Sequence, residues 1–191
     1  MHLRRTLMAV SLCLILLGKL TAQSLNPHID RDQLHVSGPK IHFLVDEVLA
    51  RLHDGATVKF EFQLSVLPDR GGKVLARADE IFAVSYDLWE EKFAVTKLGS
   101  PAKSVSHLSA SDAEAWCFDN TTLPVSVLGN QSFWIRVDYR AVDAGASNGQ
   151  SDNSGFTLSG LIDIFSRRTR GEQLHGSEEI GPVSLEKLRR K

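Results

Sequence analysis

Val58-Lys59-Phe60-Glu61-Phe62-Gln63-Leu64-Ser65-Val66 alternates apolar and polar residues without a break. Successive side chains of an extended chain point to opposite faces, so this stretch predicts an antiparallel strand with one face buried and the other wet. Upstream, Leu44, Val45, Val48, Leu49 and Leu52 recur at helical spacing, with Asp46, Glu47 and Arg51 on the opposite side. Asp54-Gly55 then supplies a glycine stop, which predicts a short amphipathic helix that ends there. Before it, Gln33 to Val36 reads as a short strand ended by Ser37-Gly38-Pro39.

Downstream, Pro68-Asp69-Arg70-Gly71-Gly72 has the residues of a turn. An extended stretch follows, with an interruption expected near Ala78-Asp79. It resumes with Phe82, Val84, Tyr86 and Leu88 on one face, and a connection through Glu90-Glu91 leads to Phe93 and Val95. Ser109 to Trp116 is predicted as a short helix capped by Ser111, with Asp112 and Glu114 in its first turn. Pro124 to Leu128 is expected to be a short strand. Phe133, Ile135, Val137 and Tyr139 alternate with Trp134, Arg136, Asp138 and Arg140 in another.

These elements contain no βαβ alternation, and the expected fold class is mainly β: an antiparallel β-sandwich with short peripheral helices. The alternative is an α+β fold, an antiparallel sheet covered by helices. The β-rich domain is expected over 23–142. A flexible polar loop rich in Gly, Ser, Asn and Asp follows at 143–156. An amphipathic helix at 157–168, with the stripe Leu158, Leu161, Ile162 and Phe165, is expected to pack on the domain. A solvated polar basic tail is expected at 169–191, with one helical turn around Leu185 to Leu188.

The order of Leu52-His53-Asp54-Gly55, the Val58-Lys59-Phe60-Glu61-Phe62 strand, Val84-Ser85-Tyr86-Asp87-Leu88-Trp89 and Phe93-Ala94-Val95 resembles an uncharacterised family of small secreted bacterial proteins, a domain of unknown function. The resemblance runs over roughly 34–139 and is one of pattern. It implies a bacterial, exported, β-rich protein and brings no catalytic residues with it.

Residues 1–22 have the layout of a secretory signal. Arg4 and Arg5 precede the apolar run Leu7 to Leu17, and Leu20-Thr21-Ala22 offers a small residue at the cleavage point. The run falls short of the ~20 residues a membrane-spanning helix needs. The expected location is therefore periplasmic or secreted, with an uncleaved N-terminal membrane anchor as the alternative. The whole chain has 22 basic and 23 acidic residues, a formal charge of −1. Arg4, Arg5 and Lys19 are the charges of the signal, so the exported part is distinctly acidic. It keeps one cysteine, Cys117, and cannot form an internal disulfide; its stability must come from a core, which a chain of about 170 residues is long enough to build.

Chemistry-bearing patterns are sparse. Gly145-Ala146-Ser147-Asn148-Gly149 satisfies G-x-S-x-G, and Asp163 and His175 follow in the order of an α/β-hydrolase triad, but the motif lies in a low-complexity loop instead of a strand-to-helix elbow. Cys117 is flanked by Trp116 and Phe118, which predicts an inert buried thiol. His28, His35, His42, His53, His107 and His175 form no close cluster of metal-ligating spacing, and Glu172-Gln173-Leu174-His175 supplies only one of the motifs a di-iron site requires. Glu90-Glu91 and Glu178-Glu179 read as solvated carboxylates. Asn120-Thr121-Thr122 and Asn130-Gln131-Ser132 match the glycosylation sequon, which matters only in a eukaryotic host. No catalytic, cofactor or metal residue is assigned.

The expected function is that of an exported non-enzymatic β-domain binding another envelope component, with an envelope protein as the expected partner. One alternative is a small exported hydrolase using Ser147 or Cys117. The other is peripheral association with an anionic membrane surface through 157–191, where Arg167, Arg168, Arg170, Lys187, Arg189, Arg190 and Lys191 outnumber the acids. Nucleic-acid binding is not expected, because the body is acidic and no aromatics interleave with the basic run.

Overall fold

A computed structural model describes residues 25–129, 131–142 and 174–190. These residues are mainly β, with two antiparallel sheets and three short helices in a sandwich-like arrangement.

The elements run in chain order as β1 (Asn26–Asp30), β2 (Gln33–Ser37), α1 (Asp46–His53), β3 (Val58–Leu67), β4 (Ala76–Asp87), β5 (Lys92–Leu98), β6 (Lys103–Leu108), α2 (Ala110–Asp119), β7 (Leu123–Pro124), a 3-10 turn (Val125–Val127), β8 (Phe133–Val142), β9 (His175–Val183) and α3 (Leu185–Arg189). The large sheet has the order β6-β5-β4-β3-β8-β9, and the small one β1-β2-β7. Every pairing is antiparallel.

The alternating stretch is β3, the strand between β4 and β8, and its inward residues Val58, Phe60, Phe62, Leu64 and Val66 are fully buried. Against them lie Phe43 from the β2–α1 connection, Val48 and Leu52 of α1, and Ala113, Cys117 and Phe118 of α2, joined by Leu34 and Val36 of the small sheet. Phe43 sits at the centre of an aromatic cluster. Its ring centroid is 4.7 Å from Phe60, 5.3 Å from Phe62 and 5.8 Å from Tyr139. Each such pair adds roughly 0.5–1.5 kcal/mol beyond area burial.

Several elements differ from the sequence expectation. β4 runs without interruption, because Ala76, Ala78 and Glu80 continue the inward face of Phe82 and Val84 past the expected break. Ser109, not Ser111, caps α2 by accepting from the amide of Asp112. The stretch 124–128 gives only the end of β7 and a 3-10 turn. β1 and β6 were not anticipated.

The largest difference is at the C-terminus. Residues 175–183, expected in a solvated tail, pair with β8 as an edge strand, and Leu188 of α3 is buried in the core. The expected turn around Leu185 to Leu188 is α3. Two glycines let β9 approach β8 closely: Gly176 faces the Tyr139 ring, and a Cβ on Gly181 would stand 2.5 Å from the Trp134 indole. The amide of Ala141 donates to the carbonyl of Leu174, so the two chain ends that flank 143–173 meet at one corner of the sheet. The signal at 1–22, the loop at 143–156 and the helix at 157–168 lie outside the described residues.

Candidate binding tip on the β4–β5 hairpin

The end of the large sheet formed by Asp87 and Lys92 carries a four-residue connection, Leu88–Glu91, between β4 and β5. Asp87 opens it. Its Oδ1 accepts from the backbone amides of Trp89 at 2.8 Å and Glu90 at 3.1 Å. An aspartate that bonds amides two and three residues on builds a turn from its own side chain. The Glu90 amide, then the Trp89 amide, hold the Asp87 carboxyl below its ordinary range, since they bond the charged form. Glu91 closes the turn in the left-handed region, at φ 54°.

The hairpin is braced from both sides. At its base, Tyr86 packs on Phe93 at 4.9 Å and on the His53 ring at the end of α1 at 4.4 Å. At its crown, Glu90 Oε2 lies 2.9 Å from His107 Nε2 on β6. His107 Nδ1 is in turn 2.8 Å from the Ser106 hydroxyl.

This frame presents two apolar side chains to solvent. Trp89 is 96% exposed and Leu88 57%. Scattered exposed leucines are ordinary on soluble proteins. A tryptophan presented whole on a turn with fixed amides is a different case, because its backbone ordering is complete before any partner arrives. Tryptophan is also among the residues that most often dominate binding interfaces.

The surround is acidic. Asp87, Glu90 and Glu91 flank the two apolar residues, with Lys92 and His107 as the neighbouring basic groups. Leu88 was expected on the inward face of β4; β4 ends at Asp87 instead, and the turn carries Leu88 outward. The readable signal for the tip was Asp-x-x before a second strand, an aspartate placed to bond the next amides.

The other sequence candidates fall elsewhere. Cys117 is fully buried, and desolvation first, with the nearby Glu114 charge second, pushes its thiol far above the ordinary range. Such a thiol does not supply a thiolate. Ser147, Asp163 and Glu172 lie outside the described residues, and His175 starts the edge strand β9, exposed. His53 packs at a tilt against the Tyr86 ring. Glu178 and Glu179 belong to β9, where Glu179 pairs with Arg70 at 3.6 Å. The Asn120 side chain donates to the Trp116 carbonyl as the cap of α2. Among the described residues, no group of three or more His, Cys, Asp or Glu side chains is placed to hold a metal ion, and no helix is long and apolar enough to cross a membrane.

One carboxylate, expected in the first turn of α2, is buried beyond that turn instead. Glu114 of α2 is buried, and its Oε1 accepts from the amides of Phe43 at 2.7 Å and Leu44 at 2.8 Å, while Oε2 takes His42 Nδ1 at 2.8 Å. It ties the β2–α1 connection to α2 and satisfies amides that would otherwise be buried without acceptors. The clue was an acid between Ala113 and Cys117, on the inward face of the helix.

No family model, curated protein or solved structure matches the chain. The functional reading therefore stands on the chain's own residues.

Proposed function

We propose that this is an exported, non-enzymatic β-domain that binds another component of the cell envelope, with the β4–β5 tip as its contact. Export rests on the signal-like layout of residues 1–22. The binding role is carried by one observation: Trp89 stands 96% exposed on a turn whose amides are already fixed by Asp87. Burying an aromatic of that size against a partner is worth about 2–3 kcal/mol, and the braced turn lowers the ordering cost.

Affinity capture from envelope extract tests this reading, with the wild-type chain and Trp89→Ala as paired baits. Trp89 makes no core contact, so the variant should unfold at the same urea concentration as wild type. The expected result is a retained component that Trp89→Ala fails to hold. Identical captured sets from the two baits would remove the tip as the binding element.

A further inference from the structure

The reading of the tip as a binding element can be taken one step further, to the chemistry of what it binds. We infer that the partner is a protein presenting an apolar pocket with a cationic rim, into which Trp89 and Leu88 insert while Asp87, Glu90 and Glu91 meet basic side chains. This inference rests on the binding role proposed above.

Three observations carry it. The apolar element is small, two side chains on one turn, which suits a pocket better than an extended face. Its surround is acidic: within Asp87–Lys92, three carboxylates stand against one lysine. The carboxylates are also placed differently from one another. Asp87 is turned inward to the amides of its own turn, Glu90 reaches across to His107, and Glu91 has no ion-pair partner among the described residues. Glu91 is therefore the acid most available to an incoming cation.

The same charges argue against lipid as the occupant. Cytoplasmic and envelope bilayers carry anionic headgroups that attract basic segments. Inserting Trp89 into such a surface would press Asp87, Glu90 and Glu91 against like charge. A basic-rimmed protein pocket turns that cost into attraction and speeds encounter, by a factor of roughly 10 or more at low salt.

The test uses the full chain with a photo-reactive phenylalanine analogue at position 89, irradiated in envelope extract. Unlabelled wild-type chain in excess should compete the adduct away and Trp89→Ala should not, which establishes that the adduct reports the tip. The inference about charge is then read from two changes. Glu91→Lys should cut adduct yield about tenfold, and so should raising the salt from about 0.05 to 0.5 M, which shrinks the Debye length to a few ångströms. Glu90→Lys/Glu91→Lys should abolish the adduct, and urea unfolding of both variants confirms that they fold. Vesicles of phosphatidylcholine alone, and of phosphatidylcholine with phosphatidylglycerol, should not bind the chain.

A competed adduct indifferent to salt and to Glu91→Lys would overturn the cationic rim and leave the binding role standing. Trp89-dependent binding to either vesicle would overturn the protein partner. Absence of any adduct that wild type competes would overturn the binding role itself, and with it this inference.

Discussion

Glu114 offers the sharpest check on how the fold is held. Replacing it with alanine strands the amides of Phe43 and Leu44, both buried, whose acceptor at 2.7 Å and 2.8 Å is the same carboxylate oxygen. Each buried donor left without a partner costs about 1–3 kcal/mol, so Glu114→Ala, which strands two, should lose about 2–6 kcal/mol. Against a typical total of roughly 5–15 kcal/mol, that is a large share of the stability.

Glu114→Gln is the informative contrast. It keeps one oxygen for the two amides and turns an amide group towards His42 Nδ1. His42 is 59% exposed on its side chain, so its ring can switch tautomer and give its hydrogen to water. The loss should then be about 1 kcal/mol, the difference between a charge-assisted and a neutral acceptor. His42→Ala should cost less than about 1 kcal/mol, as expected when one partly exposed side-chain hydrogen bond is removed.

Urea unfolding followed by far-UV circular dichroism measures all three variants. Hydrogen exchange at the Phe43 and Leu44 amides gives an independent reading, which should be fast in Glu114→Ala and slow in Glu114→Gln. If Glu114→Ala matched Glu114→Gln within 0.5 kcal/mol, about the level of uninvolved surface positions, the staple would not hold the connection as described.

Further consequences can be measured on the same purified chain. A Cβ at Gly181 meets the Trp134 indole, so Gly181→Ala should destabilise by about 1–3 kcal/mol, visible as a lower urea midpoint. Arg31 and Asp32 form the β1–β2 turn with φ of 46° and 60°, a conformation that suits Asn-Gly; Arg31→Asn with Asp32→Gly should raise stability by about 1 kcal/mol. The Ser65 hydroxyl is buried without a bonding partner, so Ser65→Ala should leave stability unchanged or raise it by about 1 kcal/mol. Asp87 has its pKa lowered in the folded chain, so its support for the tip is present above the ordinary value of 3.8 and is lost as pH falls through the depressed one. Amide exchange at Trp89 and Glu90, referenced to an exposed loop amide, should accelerate relative to that reference only in that acidic window; Asp87→Asn should show weaker protection at neutral pH.

The central sheet was legible because its strands bury side chains alternately and large residues mark the buried positions. β3 and β8 announce themselves through Phe60, Phe62, Ile135 and Val137. The continuity of β4 was hidden because its inward residues near the break are Ala76, Ala78 and Glu80, too small or too polar to read as a face. β6 and β9 are edge strands, each paired on one side, and need no apolar row of their own. β9 in particular carries His175-Gly176-Ser177-Glu178-Glu179-Ile180-Gly181-Pro182, which resembles a loop until the rings of Tyr139 and Trp134 supply the bulk that its glycines lack.

The tip and the Glu114 staple share a different reason for being hard to read. Both depend on side chains that reach residues distant in sequence: Glu90 reaches His107 on β6, and Glu114 reaches residues some seventy positions earlier. Hydrophobic period does not encode such contacts. The local sequence did carry one part of the answer, since a cysteine between Trp116 and Phe118 pointed to a buried thiol, and Cys117 is fully buried.

The meeting of Ala141 and Leu174 has a bearing on how this chain can vary. The register of β9 on β8 is set by Ile135 against Ile180 and Tyr139 against Gly176, well inside the pair, and the backbone bond from Ala141 to Leu174 closes its end. The alignment of the two strands is thus written in pairs that belong to β8 and β9 themselves. Lengthening a connection between two strands costs only about 0.6 kcal/mol per doubling. The corner between Ala141 and Leu174 is therefore where added length should burden the sheet least, because the paired residues that align it lie further in.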